Sequence, residues 1–178
     1  MIYSIGHGNK PIDKFLEELI KYRIEYLIDV RTKPFSKWNT QYNQNELTHS
    51  LKKKNITYVF MGEQLGGLPS DSSCYTDSYV DYNKIKTKDF FKNGIDRLMN
   101  AENQNLNIAI MCSESNPAEC HRSKLIGEVL MENSISIQHI IDCNICKPQG
   151  LVMIEVTKGL SMVDLFGDTK EFKSKNKY

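Results

Sequence analysis

The chain has 178 residues, 40% of them hydrophobic, and 23 lysines and arginines against 22 aspartates and glutamates, for a formal charge of +1. That length supports one core and is short for two full domains. The near-cancellation of charge excludes a global basic field of the kind that drives non-specific nucleic-acid binding, leaving room only for a local basic site. No apolar run approaches the roughly eighteen residues of a membrane span, and no charged segment leads into a long apolar stretch at the start. A cytoplasmic protein without membrane contact is therefore expected. Five irregularly spaced cysteines favour reduced thiols over a disulfide scaffold.

Ile2-Tyr3-Ser4-Ile5 alternates like a strand and ends at Gly6-His7-Gly8-Asn9. Pro11 suits the first turn of a helix whose apolar positions Ile12, Phe15, Leu16, Leu19 and Ile20 follow the helical period. Residues 26–30 predict a second, buried strand, and 31–36 its exit loop. A helical pattern follows over 46–54, then a third strand over 56–60. Residues 62–78 hold Gly66, Gly67 and Pro69 and read as the longest loop, a common site of functional lids. Phe90, Phe91, Ile95, Leu98 and Met99 make a helix face within 88–100. Residues 107–111 predict the fourth strand, with a helix after Cys120. A fifth strand is predicted over 135–141 and an added one over 152–156. The alternation implies an α/β fold, a single domain over 1–167 with a mainly parallel sheet of about five strands and helices on both faces. Residues 168–178, rich in lysine, are predicted to be a disordered tail.

The carboxyl ends of parallel strands open on one edge, where ligands bind at the switch in strand order. That edge collects Gly6, His7, Gly8 and Asn9 from the first strand, Asp29 and Arg31 from the second, and Cys112 to Glu114 from the fourth. Cys120, His121 and Arg122 open the helix beyond. Glycines flanking His7 allow close backbone approach, although a histidine after a strand also serves as a loop cap. Asp29 and Arg31 point to one face and Val30 to the other. They read either as a structural ion pair or as a two-pronged anion grip whose carboxylate orients it or accepts a proton. Of four arginines, Arg23 and Arg97 fall within helical patterns. Arg31 and Arg122 lie in polar clusters, where a planar donor has a use that lysine cannot fill. Cys112 reads as a small buried hydrophobe or as a reactive thiol, while a helix start at Cys120 attracts an anion and favours a thiolate.

Seven residues separate Cys112 from Cys120, unlike common zinc fingers, and a phosphatase Cys-x5-Arg spacing fails at Ala118. Cys143 and Cys146, with His139 upstream, form a single isolated pair, so no metal site is predicted. Neither a Walker nor a dinucleotide glycine motif is present, and no cofactor is assigned.

The order Ile-Gly-His-Gly (residues 5–8), Asp-Val-Arg-Thr-Lys-Pro-Phe-Ser (29–36), Leu-Gly-Gly (65–67) and Cys-Ser-Glu-x-x-Pro-x-x-Cys-His-Arg (112–122) resembles the domain of unknown function 488 family over roughly residues 1–145. The resemblance implies a small prokaryotic α/β protein with site residues His7, Asp29, Arg31, Cys112, Glu114, Cys120, His121 and Arg122. Gly8 stands where family members often carry serine.

These residues predict an enzyme, a hydrolase or transferase, acting on an anionic phosphate-bearing substrate such as a nucleotide or a nucleic-acid end. Catalytic roles fall to His7, Asp29, Cys112, Glu114, Cys120 and His121, and substrate contacts to Gly6, Gly8, Arg31, Ser36 and Arg122. His7 or His121 would move protons, and Cys112 or Cys120 would be a nucleophile. The alternative is a non-catalytic nucleotide-sensing or nucleic-acid-binding module, for which Trp38, Tyr42, Tyr75, Tyr79 and Tyr82 would supply contacts. A small anionic ligand is the expected partner, with nucleic acid as the other candidate.

Overall fold

Strand and helix patterns alternate along the chain, and the computed structural model, which describes residues 1–159 and 172–178, follows them closely in the first half. The strand β1 (Ile2–Gly6) leads into α1 (Ile12–Lys21), β2 (Tyr26–Asp29), α2 (Gln44–Lys52) and β3 (Thr57–Phe60). There follow α3 (Gly62–Leu65), the short strands β4 (Tyr75–Thr76) and β5 (Tyr79–Asp81), α4 (Tyr82–Lys86) and α5 (Asp89–Asn103). The last part holds β6 (Ile108–Cys112), a π-helical turn (Arg122–Gly127), α6 (Glu128–Glu132), β7 (Ile137–Ile140), β8 (Cys146–Pro148), α7 (Gln149–Thr157) and β9 (Lys173–Lys177).

Among the described residues the main sheet has six strands in the order β3-β2-β6-β1-β7-β8, against about five predicted. Five run parallel, and β8 closes one edge antiparallel to β7. At its centre, β6 is buried at every position, which is why Ile108-Ala109-Ile110-Met111 is an unbroken apolar run rather than an alternation. Successive residues of β1, β2 and β6 enter opposite cores. Phe15, Leu16 and Leu19 of α1 and Leu47 and Leu51 of α2 pack with Ile5, Leu27 and Met111 on one face. On the other, Ile2, Ile28 and Ile110 meet Phe91, Ile95 and Leu98 of α5 and Leu125 and Ile126 of the π-helical turn. The chain thus leaves β1 toward one face and leaves β6, its neighbour, toward the other. Their carboxyl ends bound the switch point of the sheet.

Three expectations are corrected. Residues 152–156 belong to α7, not to a strand. This stretch is apolar at almost every position and so carries no legible period. Gln149, Val152, Met153 and Thr157 are nonetheless buried at helical spacing, while Leu151 and Ile154 face outward. The expected long loop over 62–78 contains α3, a 3-10 turn at Ser72–Cys74 and β4. Of the tail predicted as disordered, 168–171 lie outside the described residues. Within the remainder, Phe172 is buried in the core and β9 pairs antiparallel with β5 in a small sheet ordered β4-β5-β9. Among the described residues no helix is long and apolar enough to cross a membrane.

Candidate functional site

The parallel register sets Gly6 beside Cys112, and the ladder continues beyond the strands through His7 N–H to the Cys112 carbonyl (3.1 Å) and Gly8 N–H to the Ser113 carbonyl (2.9 Å). This zipped exit requires both glycines. A Cβ on Gly6 would overlap the Glu114 backbone carbonyl, and Gly8 adopts a positive φ of 51°. Both residues therefore hold two loops together, which is the structural use of the positions predicted to contact substrate.

On the α1–α2 face, Asp29 and Arg31 form a buried bidentate pair. Arg31 Nε donates to Asp29 Oδ1 (2.9 Å) and Nη2 to Oδ2 (2.6 Å). Nη2 also donates to the Tyr42 carbonyl (2.7 Å), and the Tyr58 hydroxyl donates to Asp29 Oδ2 (2.8 Å). Burial, followed by the Asp29 charge, pushes the Tyr58 hydroxyl well above its usual range. His7 stacks on Tyr42 with ring centroids 4.1 Å apart. Its Nδ1 lies 2.8 Å from the Gly8 carbonyl, which assigns the proton to that nitrogen. Nε2 then accepts the long contact of 3.4 Å from Arg31 Nη1. Burial lowers the His7 pKa to about 4, so the ring is a neutral acceptor near pH 7. Among the described residues, only Nη1 of the Arg31 fork lacks a strong partner. Ser36, expected to touch substrate, caps its own loop: its Oγ accepts from Trp38 N–H (3.1 Å) and Asn39 N–H (3.0 Å).

On the opposite face the thiols gather. Cys112 ends β6, and Cys120 precedes the π-helical turn. Their Sγ atoms and His121 Nδ1 lie within 4.8 Å of one another. Nδ1 is 3.9 Å from Cys112 Sγ and 3.7 Å from Cys120 Sγ. Glu114 Oε2 is 2.9 Å from Cys112 Sγ and 3.4 Å from Cys120 Sγ. The two thiols and the imidazole are buried, whereas Glu114 is exposed. Arg122, only 1% exposed, is spent on this cluster. Its Nε donates to Cys120 Sγ (3.3 Å), Nη1 to Ser4 Oγ (2.8 Å) and Nη2 to the Glu114 carbonyl (2.6 Å). It orients the thiol and the loop, in place of the anion grip expected of it.

Electrostatics separates the two sulfurs. The hydrogen bond with Cys120, followed by burial, pushes the Cys112 thiol up. Burial also opposes ionisation of Cys120, but the hydrogen bond with Cys112 and the charges of Arg122 and His121 hold it well below the usual thiol range. His121 is disfavoured as a cation by burial, yet the Cys120 charge raises it on balance. His121 Nε2 is buried without a hydrogen-bond partner among the described residues.

Several contributors carried no sequence signal. Ser4 Oγ meets His139 Nδ1 (2.7 Å), His139 Nε2 meets Gln149 Oε1 (2.7 Å), and Gln149 Nε2 donates to the Ser123 carbonyl (2.9 Å). This buried chain backs Arg122 from β1, β7 and α7. Gln149 approaches only because residue 127 is glycine, where a Cβ would strike its amide. Gly67, from the Leu-Gly-Gly segment, lies over the His121 ring, with its hypothetical Cβ 3.0 Å from Nδ1. Tyr42 and Tyr82, grouped with the loop aromatics, are core residues, and Tyr75 and Tyr79 are half-buried. Trp38, in contrast, is 91% exposed.

Residues 11–129, about two thirds of the chain, match the family model of the domain of unknown function DUF488, and the chain belongs to that family. The match begins just after the Gly-His-Gly segment and includes the Asp-Val-Arg, Leu-Gly-Gly and Cys-His-Arg segments. No curated protein and no solved structure matches the chain.

Proposed function

We propose that this family member is an enzyme acting on an anionic, phosphate-bearing substrate of nucleotide type at the β1–β6 switch point. The observation that carries the reading is the convergence of Cys112, Glu114, Cys120 and His121 at that crevice with Glu114 alone facing solvent. A module that only binds a nucleotide has no need of two buried thiols held against a carboxylate and an imidazole. Proton transfer falls to Glu114, the member of this cluster that reaches solvent. His7, neutral and pinned between Arg31 and Tyr42, acts as an acceptor on the other side of the crevice.

Support for the substrate class comes from the loop leaving β2. Phe35 is 68% and Trp38 91% exposed, and the exposed Lys33 and Lys37 flank Phe35. Flat rings interleaved with cations suit a nucleobase and its phosphates. Beside them runs a groove lined by Thr32, Lys33, Phe35, Asn43 and Gln44, adjoining Arg31 in the chain. Arg31 Nη1 is the guanidinium edge left to meet an anion.

A screen of nucleotides and short oligonucleotides for phosphate release and for thermal shift, with and without divalent metal, tests the reading. Turnover that is lost in Glu114→Gln is expected. Stabilisation without turnover would establish the sensor instead, since a ligand that prefers the folded state raises apparent stability without reacting.

A further inference from the structure

Taken without regard to catalysis, the four converging atoms are two sulfurs, one imidazole nitrogen and one carboxylate oxygen, a donor set suited to zinc and to other borderline-soft divalent ions. With bonds of about 2.3 Å to sulfur and about 2.0–2.1 Å to nitrogen or oxygen, neighbouring donors around a tetrahedral ion stand roughly 3.4–3.8 Å apart. The sulfur–nitrogen separations here are 3.9 and 3.7 Å, and the sulfur–oxygen separations 2.9 and 3.4 Å. The two sulfurs and the imidazole nitrogen all lie within 4.8 Å of one another, so one ion can sit among these three, while the Glu114 carboxylate stands beside the sulfurs and turns to reach it.

We propose that Cys112, Cys120 and His121, through Sγ, Sγ and Nδ1, are three fixed ligands of a divalent zinc-type cation, with the Glu114 carboxylate at a fourth, exchangeable position. Three features beyond the donor distances support the site. The ligands come from rigid places: the end of the central strand and the residues leading into the π-helical turn, itself backed by Arg122, Ser4, His139 and Gln149. Around Cys120 Sγ the Arg122 backbone N–H (3.5 Å) and Nε (3.3 Å) donate from outside the cluster, as outer hydrogen bonds do to metal-bound thiolates. Finally, Gly67 leaves His121 Nδ1 clear of a neighbouring side chain.

On binding, any proton still held by Cys112 or Cys120 leaves to solvent, and the ion takes the place of the hydrogen bonds within the cluster. Three buried ligands with a solvent-facing fourth is the pattern of a catalytic ion, one that can exchange a carboxylate for water or a substrate oxygen. That catalytic consequence rests on the active-site reading above, whereas the binding itself does not. The pair Cys143 and Cys146 offers no comparable set, because His139 is committed to Ser4 and Gln149.

The test uses the full chain produced with added zinc and purified without chelator. Elemental analysis should find one zinc per chain, and replacement by cobalt should give intense four-coordinate d–d bands together with sulfur-to-cobalt charge transfer. Cys112→Ser and Cys120→Ser should each weaken binding by more than the roughly 10–100-fold that loss of an outer partner causes. Glu114→Gln should keep the ion and shift the d–d bands. The double variant Cys143→Ser/Cys146→Ser should retain the metal and the charge-transfer band, which keeps the test decisive if the single variants misfold. Absence of zinc and of the cobalt band in the wild type would overturn the proposal, as would loss of metal in that double variant. A protein that holds the ion but turns over no substrate would overturn only the enzymatic reading.

Discussion

The two sides of the β1–β6 crevice are built from similar residue types yet solve opposite problems. On the α1–α2 side, Asp29, Arg31, Tyr42 and Tyr58 satisfy one another almost completely, and His7 is stacked and hydrogen-bonded into the same network. On the thiol side, two sulfurs, an imidazole nitrogen and a carboxylate oxygen crowd together, and His121 Nε2 is left without a partner among the described residues. Buried polar groups in a finished network are structural. Donors that crowd together at the crevice, as the two sulfurs, His121 Nδ1 and the Glu114 carboxylate do, suit a reactant or an ion. The first side is read as a scaffold that offers the crevice only His7 and one edge of Arg31, and the second as chemistry.

The largest effect should come from breaking the scaffold. Asp29→Ala leaves the Arg31 guanidinium buried and uncompensated, and urea denaturation should show a loss of about 3–5 kcal/mol. A loss below about 1 kcal/mol would mean that Arg31 turns to solvent and that this side is not the rigid one.

Acid should act next, through the support behind Arg122. Burial lowers the His139 pKa to about 4, so the unfolded chain, with its histidine near 6.5, binds the proton more readily than the folded one. The contribution is complete above pH 6.5 and lost as pH falls toward 4, amounting to roughly 3 kcal/mol at 1.36 kcal/mol per unit. Denaturation curves between pH 7 and 4 check this; His7, lowered to about 4 by the same cause, adds a like dependence, so His139→Gln should remove only the His139 share.

A smaller loss is expected at the seam between the sides. Gly6→Ala would drive a methyl into the Glu114 carbonyl and displace the loop that carries the carboxylate, costing about 1–3 kcal/mol. Turnover should fall with stability in this variant, whereas Asp29 variants that remain folded should retain the zinc or cobalt site.

The least effect on stability should come from the exposed groups. Glu114→Gln and Trp38→Ala should each stay within about 0.5 kcal/mol of wild type. The first should abolish turnover, and the second should weaken nucleotide binding, as read by titration. Separating stability from function in this way is the sharpest form of the comparison.

Much of this arrangement was legible in the residues. The apolar runs ending at Gly6, Asp29 and Cys112 each mark a strand whose carboxyl end carries a polar motif, and a parallel sheet then brings those ends together without further information. Roles were less legible than positions. Arginine scarcity singled out Arg31 and Arg122, but residue type does not say whether a guanidinium fork faces a ligand or is consumed by Asp29, Ser4 and a backbone carbonyl. The support from Ser4, His139 and Gln149 depends on β7 and α7 packing beside β1, a relation between residues as far as 135 positions apart. The α7 segment misled because it is apolar on nearly all sides, leaving helix and strand patterns indistinguishable. Likewise, the seven residues between Cys112 and Cys120 hid a donor cluster that only the fold closes, because a strand end and a turn entrance do not follow the short ligand spacings of zinc fingers.

The central claim, that Cys112 and Cys120 act as one metal-holding unit distinct from the scaffold, is tested most directly by site-resolved alkylation. Rates would be followed by mass spectrometry on the folded, zinc-loaded protein before and after chelation. Coordination and burial should make both thiols slow at first, and chelation should release them together while Cys143 and Cys146 keep their rates. Rates at Cys112 and Cys120 that ignore the chelator, or that change independently of each other, would contradict the account.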